Sequence, residues 1–277
     1  MTVVLGLLAA LFYGIGDFAG GLASRKYNSV TILLYSYPVG AVLMTAMLPL
    51  FPGTLTARVV LFGVLGGAAG LVGVSIMYQL MVTAPMNIVS PVTAVLAAIV
   101  PVIVGVGIGE RPATAAWIGI VLGILAVVLV SRTSEDHPHG RVGIRVIGLA
   151  FLAGTGFGLY FVFLARAGHD SGLWPLAVSR LASALLILPL AFGRKSFARV
   201  RGRVLALALG AGLFDALANM FFLLSARHGL LSLASVLAAL YPAFTVILAV
   251  GLLHEHVSRV QLAGLLLAGG AVVLITL

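Results

Sequence analysis

The sequence predicts an all-α integral membrane protein of ten transmembrane helices, arranged as two inverted five-helix repeats. Three observations predict it. Of the 277 residues, 62% are hydrophobic and only 8% charged, whereas an ordinary soluble domain carries about 25% charged residues. The apolar residues fall in runs of roughly 20, the length that crosses a bilayer. Short segments of the first half also return, in the same order, in the second.

Composition removes several function classes. A chain with so few charges cannot coat a soluble surface, which argues against a soluble enzyme and a disordered protein. The net charge of +9 could suggest nucleic acid, but the basic residues lie between the apolar runs, where membrane orientation places them. Cys is absent, so disulfides and thiolate metal sites are ruled out.

The spans, in order, are expected at 3–24, 30–51, 59–82, 86–108, 113–131, 143–165, 173–193, 203–226, 230–252 and 258–276. The first begins without a basic leader and so reads as a span, not a cleaved signal peptide. The longest connection, 132–142, falls near the midpoint and divides the chain into a first repeat, 1–131, and a second, 143–277. Connections after the odd-numbered spans hold 11 basic residues, from Arg25 and Lys26 to Arg259, and nearly half of them fall between Arg194 and Arg203. The other side holds 4: Arg58, Arg111, Arg166 and Arg227. The positive-inside rule then predicts that both termini face away from the cytoplasm.

The repeat is read from matched segments. Val95-Leu-Ala-Ala-Ile-Val-Pro101 returns as Val236-Leu-Ala-Ala-Leu-Tyr-Pro242, and Ala126-Val-Val-Leu129 as Ala271-Val-Val-Leu274. Glu110 follows the first segment as Glu255 follows the second, and Ser36 to Leu43 aligns with Ser179 to Leu186. The offsets, 141 to 145 residues, span five helices. Five is odd, so the halves cross the membrane in opposite senses. Inverted repeats of this kind build secondary transporters, with the substrate site near the midplane between the halves.

At these residues the chain resembles the drug/metabolite transporter superfamily, specifically its EamA-type ten-helix members. Gly109-Glu-Arg-Pro112, leading into Trp117-Ile-Gly-Ile-Val-Leu-Gly123, is similar to the run that precedes the fifth helix in that family. His254-Glu255-His256 followed by Gln261-Leu-Ala-Gly264 is its second-repeat counterpart, with His in place of Arg. Tyr13-Gly14 stands where the family often has Trp-Gly, and Arg180 resembles a frequent Arg of helix 7, although its helix 2 counterpart here is Tyr37. The resemblance implies a transporter whose helices 1, 3, 4, 6, 8 and 9 line a central cavity. Many members are described with cytoplasmic termini, the reverse of what the basic residues predict here.

Polar residues within the spans mark the candidate site. A charge near the bilayer centre costs at least about 2.5–3.5 kcal/mol on insertion scales, so such residues face a cavity or a partner. Asp17, Arg180 and Asp215 are the three. Tyr13 shares a helical face with Asp17, and Asn219 with Asp215. Ser75, Tyr78 and Gln79 form a further polar face on helix 3, and Ser90 and Thr93 another on helix 4. These ten residues are the candidate substrate-binding set. Asp17 and Asp215 are also candidates for proton coupling, and Asp→Asn at either is expected to abolish transport without loss of folded protein. Arg180 either meets substrate or pairs with one of the two carboxylates. For Tyr241, packing is the reading preferred over substrate contact.

Pro101 and Pro242 occupy matched positions and are candidate hinges, because each removes a helix hydrogen bond. Glu110 and Glu255 precede helices 5 and 10, where a carboxylate favours the positive helix end. The small residues Gly63, Gly66, Gly67, Gly70 and Gly73 allow close packing of helix 3, within the monomer in preference to a dimer contact. The His137-Pro-His139 and His254-Glu-His256 clusters lack a further ligand set, so neither a metal nor a cofactor is expected.

The function these features favour is secondary transport, and more export than import, of a small organic solute such as an amino acid or related metabolite. Its partners would be the solute, the lipid bilayer and, under proton coupling, protons, with the chain a monomer or homodimer in a bacterial inner membrane. The alternatives are a multidrug exporter or a nucleotide-sugar or sugar-phosphate exchanger, though the latter would want a more basic cavity than Arg180 alone supplies. An intramembrane enzyme would need a nucleophile–base pair or a metal motif such as His-Glu-x-x-His, and the spans contain none.

Overall fold

The computed structural model describes residues 1–83, 86–130, 144–253 and 258–276, which form helices and short connections with no strand among them. The helices are α1 (Thr2–Ser24), α2 (Ser29–Ala46), α3 (Ala57–Thr83), α4 (Met86–Gly107), α5 (Thr114–Val130), α6 (Ile144–Arg166), α7 (Trp174–Arg194), α8 (Gly202–His228), α9 (Leu231–Ala238), α10 (Tyr241–Leu253) and α11 (Arg259–Thr276). Among the described residues, seven stretches are long and apolar enough to cross a membrane, and three shorter apolar helices accompany them. Together they correspond to the ten spans expected from the sequence. The 132–142 connection, His137, His139 and the His254-Glu255-His256 cluster lie outside the described residues.

Local chemistry sets several boundaries. Asn28 caps α2 by accepting a hydrogen bond from the Val30 amide at 2.9 Å, which satisfies one of the donors that every helix start leaves free. Pro175 sits in the first turn of α7, where a missing N–H is harmless. The ninth span is where the structure departs from a continuous helix. It breaks at Ala239-Leu240, between α9 and α10. Pro242 accounts for the break, because it cannot donate to the carbonyl four residues back and its ring crowds that carbonyl. Its counterpart Pro101 sits inside an uninterrupted α4.

The packing repeats as the sequence does. Helix α1 packs chiefly on α8, and α6, five spans later, chiefly on α3. Likewise α2 packs on α8 as α7 packs on α3. A serine hydroxyl crosses each junction: Ser36 Oγ donates to the Ala208 carbonyl across α2–α8 at 2.8 Å, and Ser183 Oγ, one turn after Ser36's counterpart Ser179, to the Gly67 carbonyl across α7–α3 at 2.9 Å. Gly67 and Gly212 allow these crossings, since a Cβ at either would strike the backbone of Ser179 or Ser36. The glycine face of α3 is therefore used within the chain, against α6 and α7. Helices α5 and α11 pack on each other at the periphery. Exposed large apolar residues such as Leu61, Val64, Val121, Leu125, Leu185 and Leu266 coat the outside, as contact with lipid requires.

Candidate functional site

Where the two sets of helices meet, a cavity opens. Its lining comes from α1 (Tyr13, Asp17), α2 (Tyr37), α3 (Gly70, Val74, Met77), α4 (Ala97), α6 (Phe157, Tyr160, Phe161), α7 (Arg180, Ser183), α8 (Asp215, Asn219) and the first residue of α10, Tyr241. The space open to the centre of a water molecule is about 70 Å³, on the order of five waters at about 10–15 Å³ each. A smaller cavity adjoins it, sharing Asp17, Tyr37, Val74 and Asp215 and adding Tyr78.

One string of polar contacts organises the wall. Tyr13 donates its hydroxyl proton to Asn219 Oδ1 at 2.5 Å. Asn219 Nδ2 in turn donates to the Asp215 carbonyl at 2.6 Å and to Asp215 Oδ1 at 3.3 Å. Asp215 Oδ2 meets Arg180 Nη2 at 2.5 Å. The string joins α1, α8 and α7, and each link depends on helical spacing: Asp215 and Asn219 are one turn apart, as are Tyr13 and Asp17. Arg180 also lies 6.0 Å from the centre of the Tyr37 ring, within cation–π range. Arg180 and Tyr37 are repeat counterparts, so equivalent positions of the two halves meet at the centre of the molecule.

Exposure divides the ion pair. The Arg180 side chain is 7% exposed and that of Asp215 36%. Arg180 thus stands behind Asp215, with its charge already matched, while the carboxylate faces the cavity. Asp17 is different. It is half-buried and, among the described residues, engages no cation and no hydrogen-bond donor. The Tyr160 hydroxyl and Arg180 Nε are both buried, and the Tyr160 hydroxyl lies beside Ser179 and Arg180.

The sequence-derived candidates sort as follows. Tyr13, Asp17, Arg180, Asp215 and Asn219 meet at the main cavity, and Tyr78 lines the smaller one. Thr93 is fully buried beside the Tyr241 hydroxyl. Ser75 lines neither cavity and its hydroxyl is buried, and Gln79 is exposed on α3. The side chain of Ser90 lies outside the described residues. Tyr241 lines the cavity where packing alone was expected, and α2 and α7 join the six helices that the family resemblance implied. Of the three charged groups, Asp215 is the one that pairs with Arg180.

Sequence reasoning missed the α6 wall of Phe157, Tyr160 and Phe161. The signal was faint: Tyr160 stands 143 positions after Asp17, the same offset that relates Tyr37 to Arg180. Glu110 also has an unforeseen place. It caps α9, not α5, with its Oε1 accepting from the Leu231 amide at 2.5 Å and Oε2 from the Ser232 amide at 3.0 Å.

A family model described as the EamA-like transporter family matches residues 1–132 and again 144–277. The chain belongs to the EamA-like transporter family. Its two matches are consecutive copies of one unit, in keeping with the repeated packing of the helices. A solved crystal structure whose description names no function aligns at a TM-score of 0.82 and 17% identity, over 99% of this chain and 96% of that one. That likeness extends the fold to a distant sequence. No curated protein matches the chain. EamA membership makes the protein an integral membrane protein of a transporter family.

Proposed function

We propose that the protein is a secondary active carrier that exports small organic solutes, such as amino acids or related metabolites, by alternating access. The observation that carries this reading is the cavity itself: small, polar on one wall, aromatic on the other, and built where the two sets of five helices meet. The moving units are the repeats 1–131 and 143–277, joined by 132–142. The break at Ala239-Leu240, directly before the cavity residue Tyr241, supports movement of α9 relative to α10. Asp17 and Asp215 are the groups through which transport would couple to protons, since they are the carboxylates in the cavity. The setting is a bacterial inner membrane, and the distribution of basic residues favours both termini outside the cytoplasm.

A sugar-phosphate or nucleotide-sugar exchanger is less well supported. Arg180, the cation in the cavity wall, is already paired with Asp215. Counterflow in proteoliposomes tests the reading: vesicles are preloaded with unlabelled amino acids or metabolites, and uptake of the labelled solute is followed. Saturable counterflow of one class is expected, and a pH gradient should accelerate it. Failure across a broad panel, with folded protein verified, would overturn the carrier reading.

A further inference from the structure

We propose that the solute is recognised by a positively charged nitrogen seated against Asp17 among the rings of Tyr13, Tyr78 and Tyr241. The inference rests on the carrier reading and narrows its substrate class. Among the described residues, three side chains with formal charge line the main cavity: Asp17, Arg180 and Asp215. Arg180 and Asp215 neutralise each other at 2.5 Å. What remains is one carboxylate, and among the described residues it has no partner. A partly desolvated carboxylate without a counter-charge is unfavourable, and a cation brought by the solute would supply the missing charge.

The surrounding walls suit the same ligand. Tyr13 lies 6.3 Å from Tyr241 and 6.0 Å from Phe161, centre to centre, and Tyr160 lies 6.0 Å from Phe161. Aromatic rings attract ammonium groups through their faces, and the phenols of Tyr13, Tyr78 and Tyr241 all fall within electrostatic reach of Asp17. An anionic solute would instead place a second negative charge near Asp17 in a medium that screens poorly. An amino acid therefore enters by its amino group, its carboxylate is dispensable, and simple amines belong to the substrate class.

A matched series on one carbon skeleton tests this: isoamylamine as the cation, leucine as the zwitterion and isocaproate as the anion. Binding is measured by calorimetry on the full chain in detergent, and counterflow separately in proteoliposomes. Isoamylamine is expected to bind at least as tightly as leucine, and isocaproate more than about tenfold more weakly. Asp17→Asn should weaken isoamylamine about tenfold or more, whereas Asp17→Glu should retain it. Thermal unfolding of both variants checks that they are folded. Equal binding of isocaproate and isoamylamine, failure of all three to bind the wild-type chain, or unchanged amine binding in a folded Asp17→Asn variant would overturn the proposal. If isoamylamine binds through Asp17 without counterflow of any solute, recognition stands and the carrier reading falls. Counterflow of isocaproate without amine binding would do the reverse.

Discussion

Asp215 and Asp17 look alike in sequence, each a lone carboxylate in an apolar helix, yet they stand in different chemistry. Asp215 holds the charge of a nearly buried Arg180. Removing one partner of a buried ion pair strands the other and costs about 3–5 kcal/mol. Asp215→Asn should therefore lower the unfolding temperature and the folded yield, contrary to the sequence-based expectation that transport alone would suffer. Replacing both partners, with Arg180→Met and Asp215→Asn, should recover most of the lost stability, because no uncompensated charge is left. Thermal unfolding of the single and double variants in detergent checks this, and equal stability of Asp215→Asn and wild type would contradict it. Asp17→Asn strands no cation among the described residues, so its unfolding temperature should stay close to that of wild type. The two substitutions together distinguish a carboxylate that braces the wall from one that meets the solute.

At the scale of elements, the notable unit is α9. It is eight residues long, bounded by Pro242's break at one end and tied to Glu110 at the other. The carboxylate satisfies two amides at the positive end of the helix, and it comes from the connection after α4, the helix that is the repeat counterpart of the ninth span. Capping contacts are worth about 0.5–2 kcal/mol, so Glu110→Ala should raise the population with α9 released by a factor of about 2 to about 30. The chain has no Cys, so a single Ser235→Cys gives a clean reporter: Ser235 is fully buried, and its labelling by a maleimide should accelerate in the Glu110→Ala background. Unchanged labelling would show that the cap does not restrain α9.

Much of this scale was legible in the sequence. Hydrophobic run length marks helices directly, and offsets of matched segments mark the repeat. The break in the ninth span was not legible, because Pro101 and Pro242 have near-identical neighbours and only one interrupts its helix. The partner of Glu110 was hidden too, since sequence places it before α5 and only the tertiary fold brings it to α9. In the cavity, charged residues announced themselves by their cost in a membrane. Phe157, Tyr160 and Phe161 did not, as an aromatic in an apolar helix reads the same whether it faces lipid, core or cavity.

For the whole molecule, the connections show which contacts alternating access must disturb. The α2–α3 and α6–α7 connections, one from each half, meet at one end of the bundle. The Thr54 amide donates to the Asp170 carbonyl at 2.9 Å, Trp174 Nε1 to the Gly53 carbonyl at 3.2 Å, and a Cβ on Gly53 would collide with the Gly172 backbone. Arg227, at the end of α8, adds a hydrogen bond to Ser171 Oγ at 2.7 Å. If the halves rock about the central cavity, this junction opens in one state and closes in the other. A backbone hydrogen bond brings the two Cα atoms close to the range a disulfide spans, so Thr54→Cys with Asp170→Cys should form one under mild oxidation. The cross-linked protein should bind solute in detergent yet lose counterflow, and reduction should restore it. Each single-Cys variant should transport under both conditions. Full counterflow in the oxidised double variant, with cross-linking verified by gel mobility after cleavage between the halves, would mean that this end stays closed and that access alternates by movement elsewhere, with the break before Tyr241 the next place to restrain.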